Sequence, residues 1–121
     1  MATKKTLVLG ASPNAERYSF RAATELTYHK HPVALLGRRA GKIGDHDIDT
    51  VAQQYSGIDT VTMYLGPDNQ IEYYQYIISL QPKRVIFNPG AENEGFCKML
   101  EKNGVECLNA CTLVMLSIGN Y

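Results

Sequence analysis

Apolar and polar positions alternate along the chain in blocks that predict strands and helices in turn. Thr6-Leu7-Val8-Leu9-Gly10 is a short apolar run closed by glycine, the pattern of a strand buried on both faces. From about Ser19 to Lys30, Phe20, Ala23, Leu26 and Thr27 recur at three-to-four spacing and predict a helix that Pro32 terminates. Val33 to Leu36 is a second apolar strand, ending on Gly37. Arg38 to Asp49 is polar and glycine-containing and predicts a loop, and Asp49 to Tyr55 has room for one helical turn. Thr60-Val61-Thr62-Met63-Tyr64-Leu65 predicts a third strand. Gly66-Pro67-Asp68 then signals a helix start with Asp68 as its cap. Ile71, Tyr74, Ile78 and either Tyr76 or Ile77 supply its inner face.

Arg84 to Phe87 predicts a fourth strand, stopped by Asn88-Pro89-Gly90. A helix from about Glu92 to Asn103 points Phe96, Met99 and Leu100 inward, and Gly104 is placed to end it in the left-handed conformation. Val105 to Leu108 predicts a fifth strand, and Cys111 to Ile118 fits either a strand or a helical turn. No linker, repeat or low-complexity segment interrupts residues 1–121, which predicts one domain. Alternation of this kind implies an α/β architecture: a Rossmann-like, doubly wound, mainly parallel five-stranded sheet with helices on both faces. Ligands of such sheets bind outside the carboxyl ends of the strands.

Composition narrows the partners. The 121 residues are 45% hydrophobic and 20% charged with zero net charge, so an ordered globular chain is expected, with no basic bias towards nucleic acid or an anionic membrane. The apolar run after Lys5 is too short for a signal peptide, and no stretch approaches the ~18 apolar residues of a transmembrane helix. Three cysteines without a CxxC, Cys97, Cys107 and Cys111, argue against a disulfide framework or a metal site. They fit buried thiols in a cytoplasmic protein.

The chemistry lies in the turns at the strand ends. Gly10-Ala11-Ser12 brings the backbone close to an anion, and the helix beyond it aims its free N–H groups at the same place. Ser12 and Ser19 add hydroxyls, and Arg17 adds a guanidinium that can grip phosphate with two bonds. The stretch is not GxGxxG, because Ser12 and Ala15 stand where further glycines would be. An NAD site carries an acid near the end of its second strand. Here Gly37-Arg38-Arg39 offers two guanidinium groups instead, which suit a ribose bearing a phosphate: coenzyme A, or NADP as the alternative. Leu65, Pro67, Asn88, Pro89 and Gly90, at the third and fourth strand ends, are candidate walls for an extended ligand.

With these residues in place, the chain resembles the small stand-alone CoA-binding proteins related to the CoA-binding domain of the succinyl-CoA synthetase α subunit. The likeness covers nearly the whole length and is strongest over residues 10–23. The family shows Gly-Ala-Ser, an arginine five positions on and a serine two later, so Gly10, Ala11, Ser12, Arg17 and Ser19 carry over. Gly90, Asn93-Glu94 and Cys111 also match. Where the family often ends strand two with Asn-Pro-Lys, this chain has Gly37-Arg38-Arg39, and Ala15 and Tyr18 stand where prolines are common. The resemblance implies a Rossmann-like fold and binding of CoA or an acyl-CoA, and it supplies no reaction.

No catalytic set stands out. There is no YxxxK pair for an NADP-dependent reductase, or a nucleotide-binding subunit of one, and the resemblance gives no nucleophile, since the phosphorylated histidine of the synthetase is expected in a further domain that 121 residues are too few to hold. His29, His31 and His46 are expected to be solvated, Cys111 to be structural rather than a reactive thiol, and Asp45, Asp47 and Asp49 to be solvated carboxylates. The expectation is therefore a non-catalytic binding module for a small-molecule ligand. Tyr73, Tyr74 and Tyr76 are expected to be core and half-exposed helix positions, with a homodimer surface as the alternative; a partner enzyme subunit is the other partner considered.

Overall fold

The computed structural model describes residues 2–121. Strand β1 (Thr6–Leu9) is followed by α1 (Tyr18–Tyr28), β2 (Val33–Leu36), β3 (Lys42–Ile43), β4 (His46–Asp49) and β5 (Thr60–Met63). After β5 come two single turns of 3-10 helix, Pro67–Asn69 and Ile71–Tyr73, then α2 (Tyr74–Leu80), β6 (Arg84–Phe87), α3 (Glu94–Lys102), β7 (Glu106–Asn109) and α4 (Thr112–Ser117). The sheet order is β3-β4-β2-β1-β5-β6-β7. Every pairing is parallel except β3 with β4. The fold is thus the expected α/β, Rossmann-like sheet, with seven strands where the sequence predicts five.

The two extra strands come from the segment expected to be a loop. Lys42-Ile43 and His46-Asp47 form a hairpin around Gly44-Asp45, with Gly44 at a φ of +60°. Ile43 and Ile48 bury themselves under α1, and β4 then pairs in parallel with Leu35 and Leu36. The proposed helical turn over 49–55 is irregular chain instead. Tyr55 ties it to β4 by donating its hydroxyl to Asp49 at 2.5 Å.

Strand periodicity divides the core. Leu7, Leu9, Val61, Met63, Val85 and Phe87 face α2 and α3, packing against Ile77, Phe96 and Leu100. Val8, Leu35 and Ile86 face α1 and α4, packing against Ala23, Leu26, Met115 and Leu116. Successive side chains of a strand point to opposite faces, so one apolar run supplies both layers. Several polar residues inside this core are paired, while the Tyr64 hydroxyl and Arg84 Nη2 are buried without a partner. Thr62 and Thr112 share a hydroxyl hydrogen bond at 2.8 Å, and Arg84 donates Nε to Thr60 at 2.8 Å beneath the Tyr121 ring.

Several boundaries differ from the sequence expectation. Asp68 caps nothing, because Gly66-Pro67 starts a 3-10 turn rather than an α-helix. Ile71, expected on the inner face, is 62% exposed, and Ile77 takes the buried place. Phe20 is only half-buried; Ser19, Ala22, Ala23 and Leu26 form the inner stripe of α1. α3 begins at Glu94 behind Asn93, whose side chain accepts from the Phe96 amide, and Gly104 ends it at a φ of +78°. Residues 112–117 are helical, and the fifth predicted strand is shifted one residue to Glu106–Asn109. The three cysteines are half-buried rather than buried. His31 is half-buried and accepts a hydrogen bond from the Lys4 amide at 2.9 Å, so it is not a free surface group.

Candidate ligand cleft at the strand-order reversal

Strand order reverses between β1 and β5: the chain leaves β1 towards β2 on one side and returns to β5 on the other. Loops therefore diverge above the carboxyl ends of these two strands and leave a crevice. A cleft of about 490 Å³ occupies it. Gly10, Ala11, Ser12, Arg17 and Ser19 line it from the β1 side, Arg38 and Arg39 from β2, and Tyr64, Leu65, Gly66 and Asn69 from β5. Pro89, after β6, closes the far end.

The β1 turn is shaped by glycine. Gly10 has a φ of +95°, and a Cβ there would sit 3.1 Å from the Tyr64 carbonyl carbon. Both the Gly10 and Ala11 amides donate to the Leu36 carbonyl, which folds the turn back over β2. Gly37 completes the contact: a Cβ at this position would lie 2.0 Å from the Ala11 carbonyl oxygen. Gly37 does not line the cleft; it lets the β2 end press against the turn that does. Beyond Ala11 the loop locks itself locally. Ser12 Oγ accepts from the Asn14 amide at 3.1 Å, and Asn14 Oδ1 accepts from the Glu16 amide at 2.9 Å.

α1 starts without a side-chain cap. Arg17 holds the N-cap position in extended conformation and accepts no first-turn amide with its side chain. Amides at an uncapped helix start are free donors, and with the helix dipole they favour an anion. Arg17, Arg38 and Arg39 are exposed, and none of the four ion pairs among the described residues includes them. Arg38 donates to Asn69 Oδ1 at 2.9 Å, a neutral partner that bridges the cleft from the β2 side to the β5 side. Sequence reasoning missed Asn69 and Tyr64. The Tyr64 hydroxyl lies beside Thr62, Thr112 and Cys111, is buried, and makes no hydrogen bond of acceptable geometry. Burial pushes its pKa above the ordinary phenol value, with Cys111 adding to the shift.

The remaining candidates sit elsewhere. Pro67 is exposed in the turn beside Gly66 but does not line the cleft. Asn88 is buried and fully engaged: Nδ2 donates to Thr62 Oγ1 at 2.8 Å and to the Met63 carbonyl at 2.9 Å, and Oδ1 accepts from the Thr112 amide at 2.9 Å. Gly90 is exposed outside the lining, with its amide bonded to Glu92 at 2.8 Å. Behind the β5 wall, buried Gln70 donates to the Leu65 and Ala91 carbonyls at 2.9 and 2.7 Å and accepts from Asn93 at 3.0 Å. This amide ties the cleft wall to the start of α3. Among the described residues no group of three His, Cys, Asp or Glu is placed to hold a metal, and no helix is long and apolar enough to cross a membrane.

Residues 4–117 match the CoA binding domain family. The chain belongs to this family. As a CoA binding domain it is matched over all of its length, and over all of the other chain, by the crystal structure of an uncharacterized protein with 48% identity and a TM-score of 0.98. Two more distant structures share the fold. A hypothetical protein from Pyrococcus horikoshii OT3 has 21% identity and a TM-score of 0.81, covering 96% of this chain and 82% of its own. Cell-free ID.343 from Thermus thermophilus has 15% identity and a TM-score of 0.81, covering 98% and 91%. No curated protein matches the sequence.

Proposed function

We propose that this CoA binding domain binds coenzyme A or an acyl-CoA without turning it over. The adenosine bisphosphate end lies between the Gly10–Ser19 turn and Arg38-Arg39, and the pantetheine arm runs past Leu65 towards Pro89. One observation carries this reading: the uncapped start of α1 and three guanidinium groups free of carboxylate partners line a single cleft at the strand-order reversal. A polyanion is the ligand that such a site favours. Arg38 and Arg39 are assigned to the ribose phosphate, and Ser12, Arg17 and Ser19 to the pyrophosphate.

Calorimetric titration with CoA, dephospho-CoA and NADP tests the assignment. CoA is expected to bind at least about tenfold more tightly than dephospho-CoA, since charge-assisted bonds to a phosphate contribute roughly 1.5–3 kcal/mol. Equal affinities would remove the proposed role of the two arginines. Binding of NADP with none of CoA would overturn the reading as a whole.

A further inference from the structure

Two of the three thiols meet on the face of the sheet opposite Cys111. Cys97 lies in the first turns of α3 and Cys107 on β7, and both pack at the edge of the core formed with α2 and α3. Cys107 Sγ donates to the Cys97 carbonyl oxygen at 3.4 Å, which sets the two cysteines side by side between β7 and α3. Both residues are half-buried rather than enclosed in the core. Cys111 is set apart by the sheet itself, beside Tyr64 on the α1 and α4 face. The ligand cleft includes none of the three.

We propose that Cys97 and Cys107 form a reversible thiol–disulfide couple whose substrates are low-molecular-weight disulfides. Burial, the neighbouring Cys97 and the acidic groups of Glu101 and Glu106 all hold Cys107 protonated. With the Cys107 thiol proton engaged by the Cys97 carbonyl, Cys97 is assigned as the attacking sulfur. Its thiolate attacks one sulfur of glutathione disulfide; the glutathione S–S bond breaks, a Cys97–glutathione disulfide forms, and one glutathione leaves as thiolate. Cys107 then attacks the Cys97 sulfur and gives its proton to the second departing glutathione. The two protein thiols are oxidised to one disulfide, and one glutathione disulfide is reduced to two thiols. The product staples α3 to β7. Because the Cys97 amide bonds to the Asn93 carbonyl, the staple anchors the helix start that Gln70 connects to the cleft wall.

The test treats the reduced full chain with glutathione disulfide, blocks remaining thiols with a maleimide, and reads masses and linked peptides. The expected product has lost two hydrogens, carries one maleimide, on Cys111, and yields a Cys97–Cys107 cross-linked peptide. Cys107→Ser should stop at a stable glutathione adduct on Cys97. Cys111→Ser should oxidise at the wild-type rate and serves as a variant that leaves the pair intact. Three maleimides on the treated wild type, a persistent glutathione adduct on its Cys97, or a cross-link that includes Cys111 would each overturn the proposal.

Discussion

At the scale of single residues, two positions near the cleft carry opposite expectations. Gly37 has no room for a methyl group, because the obstruction is the Ala11 carbonyl rather than a side chain that can turn away. Gly37→Ala should lower stability by about 1–3 kcal/mol and weaken ligand binding, since the backbone shift falls on the Gly10–Ser12 turn. Chemical denaturation and titration of the same preparation measure both effects. Tyr64 is the reverse case. Its hydroxyl is buried without a partner, so Tyr64→Phe should stabilise the ligand-free protein by about 1 kcal/mol, read as a higher denaturation midpoint at unchanged slope. A lower midpoint would mean that the hydroxyl is bonded through water. The sequence made the turn legible because glycine, small residues and an arginine are recognisable by type. It hid Gly37's part: only the fold brings the Ala11 carbonyl against it. Asn88 misled for a related reason, since an asparagine after a strand looks the same whether its amide points at a ligand or into the core.

At the scale of elements, that inward amide joins three of them. Asn88 leaves β6, bonds to Thr62 and Met63 of β5 and accepts the Thr112 amide at the start of α4. Asn88→Ala should cost roughly 2–3 kcal/mol by stranding buried groups, and hydrogen exchange should quicken at Thr112 before it does in β1. The buried parallel strands were legible because each is a short apolar run closed by glycine or proline. The β3–β4 hairpin was not, since Lys42, His46 and Asp47 dominate it and only Ile43 and Ile48 turn inward. A mostly polar edge ribbon has the composition of a loop. The segment after β5 misled in another way: its proline turn begins as 3-10 helix, which shifts the phase of every later side chain and carries Ile71 outward.

Across the whole molecule, stability should respond to pH through His31. Burial comes first in lowering its pKa below 6.5, followed by the nearby charges of His29, Lys4 and Arg84, with Asp59 opposing. The Lys4 amide donates to Nδ1, a bond that needs the neutral ring at that atom. The folded state thus binds the proton less readily than the unfolded chain. Its stabilising contribution is complete above about 6.5 and is lost as pH falls through the window below that value. Thermal midpoints measured between pH 7.5 and pH 5 should decline, and His31→Gln should flatten that decline. An unchanged slope in the variant would assign the acid sensitivity to other groups.

The arginines at the cleft have a consequence for how fast a ligand arrives. The chain as a whole is electrically neutral, with 12 basic and 12 acidic side chains, yet the cleft gathers three guanidinium charges without a carboxylate bonded to any of them. A neutral protein with a concentrated local field attracts polyanions only once they are within about a Debye length, roughly 8–10 Å at ordinary salt. Capture is therefore a short-range event that dissolved salt can switch off. In stopped-flow measurements, the association rate of CoA should fall as salt rises, while that of pantetheine, which has no phosphate, should stay flat. The protein would then take up its ligand most rapidly where ions are scarce, a kinetic preference that its zero net charge conceals.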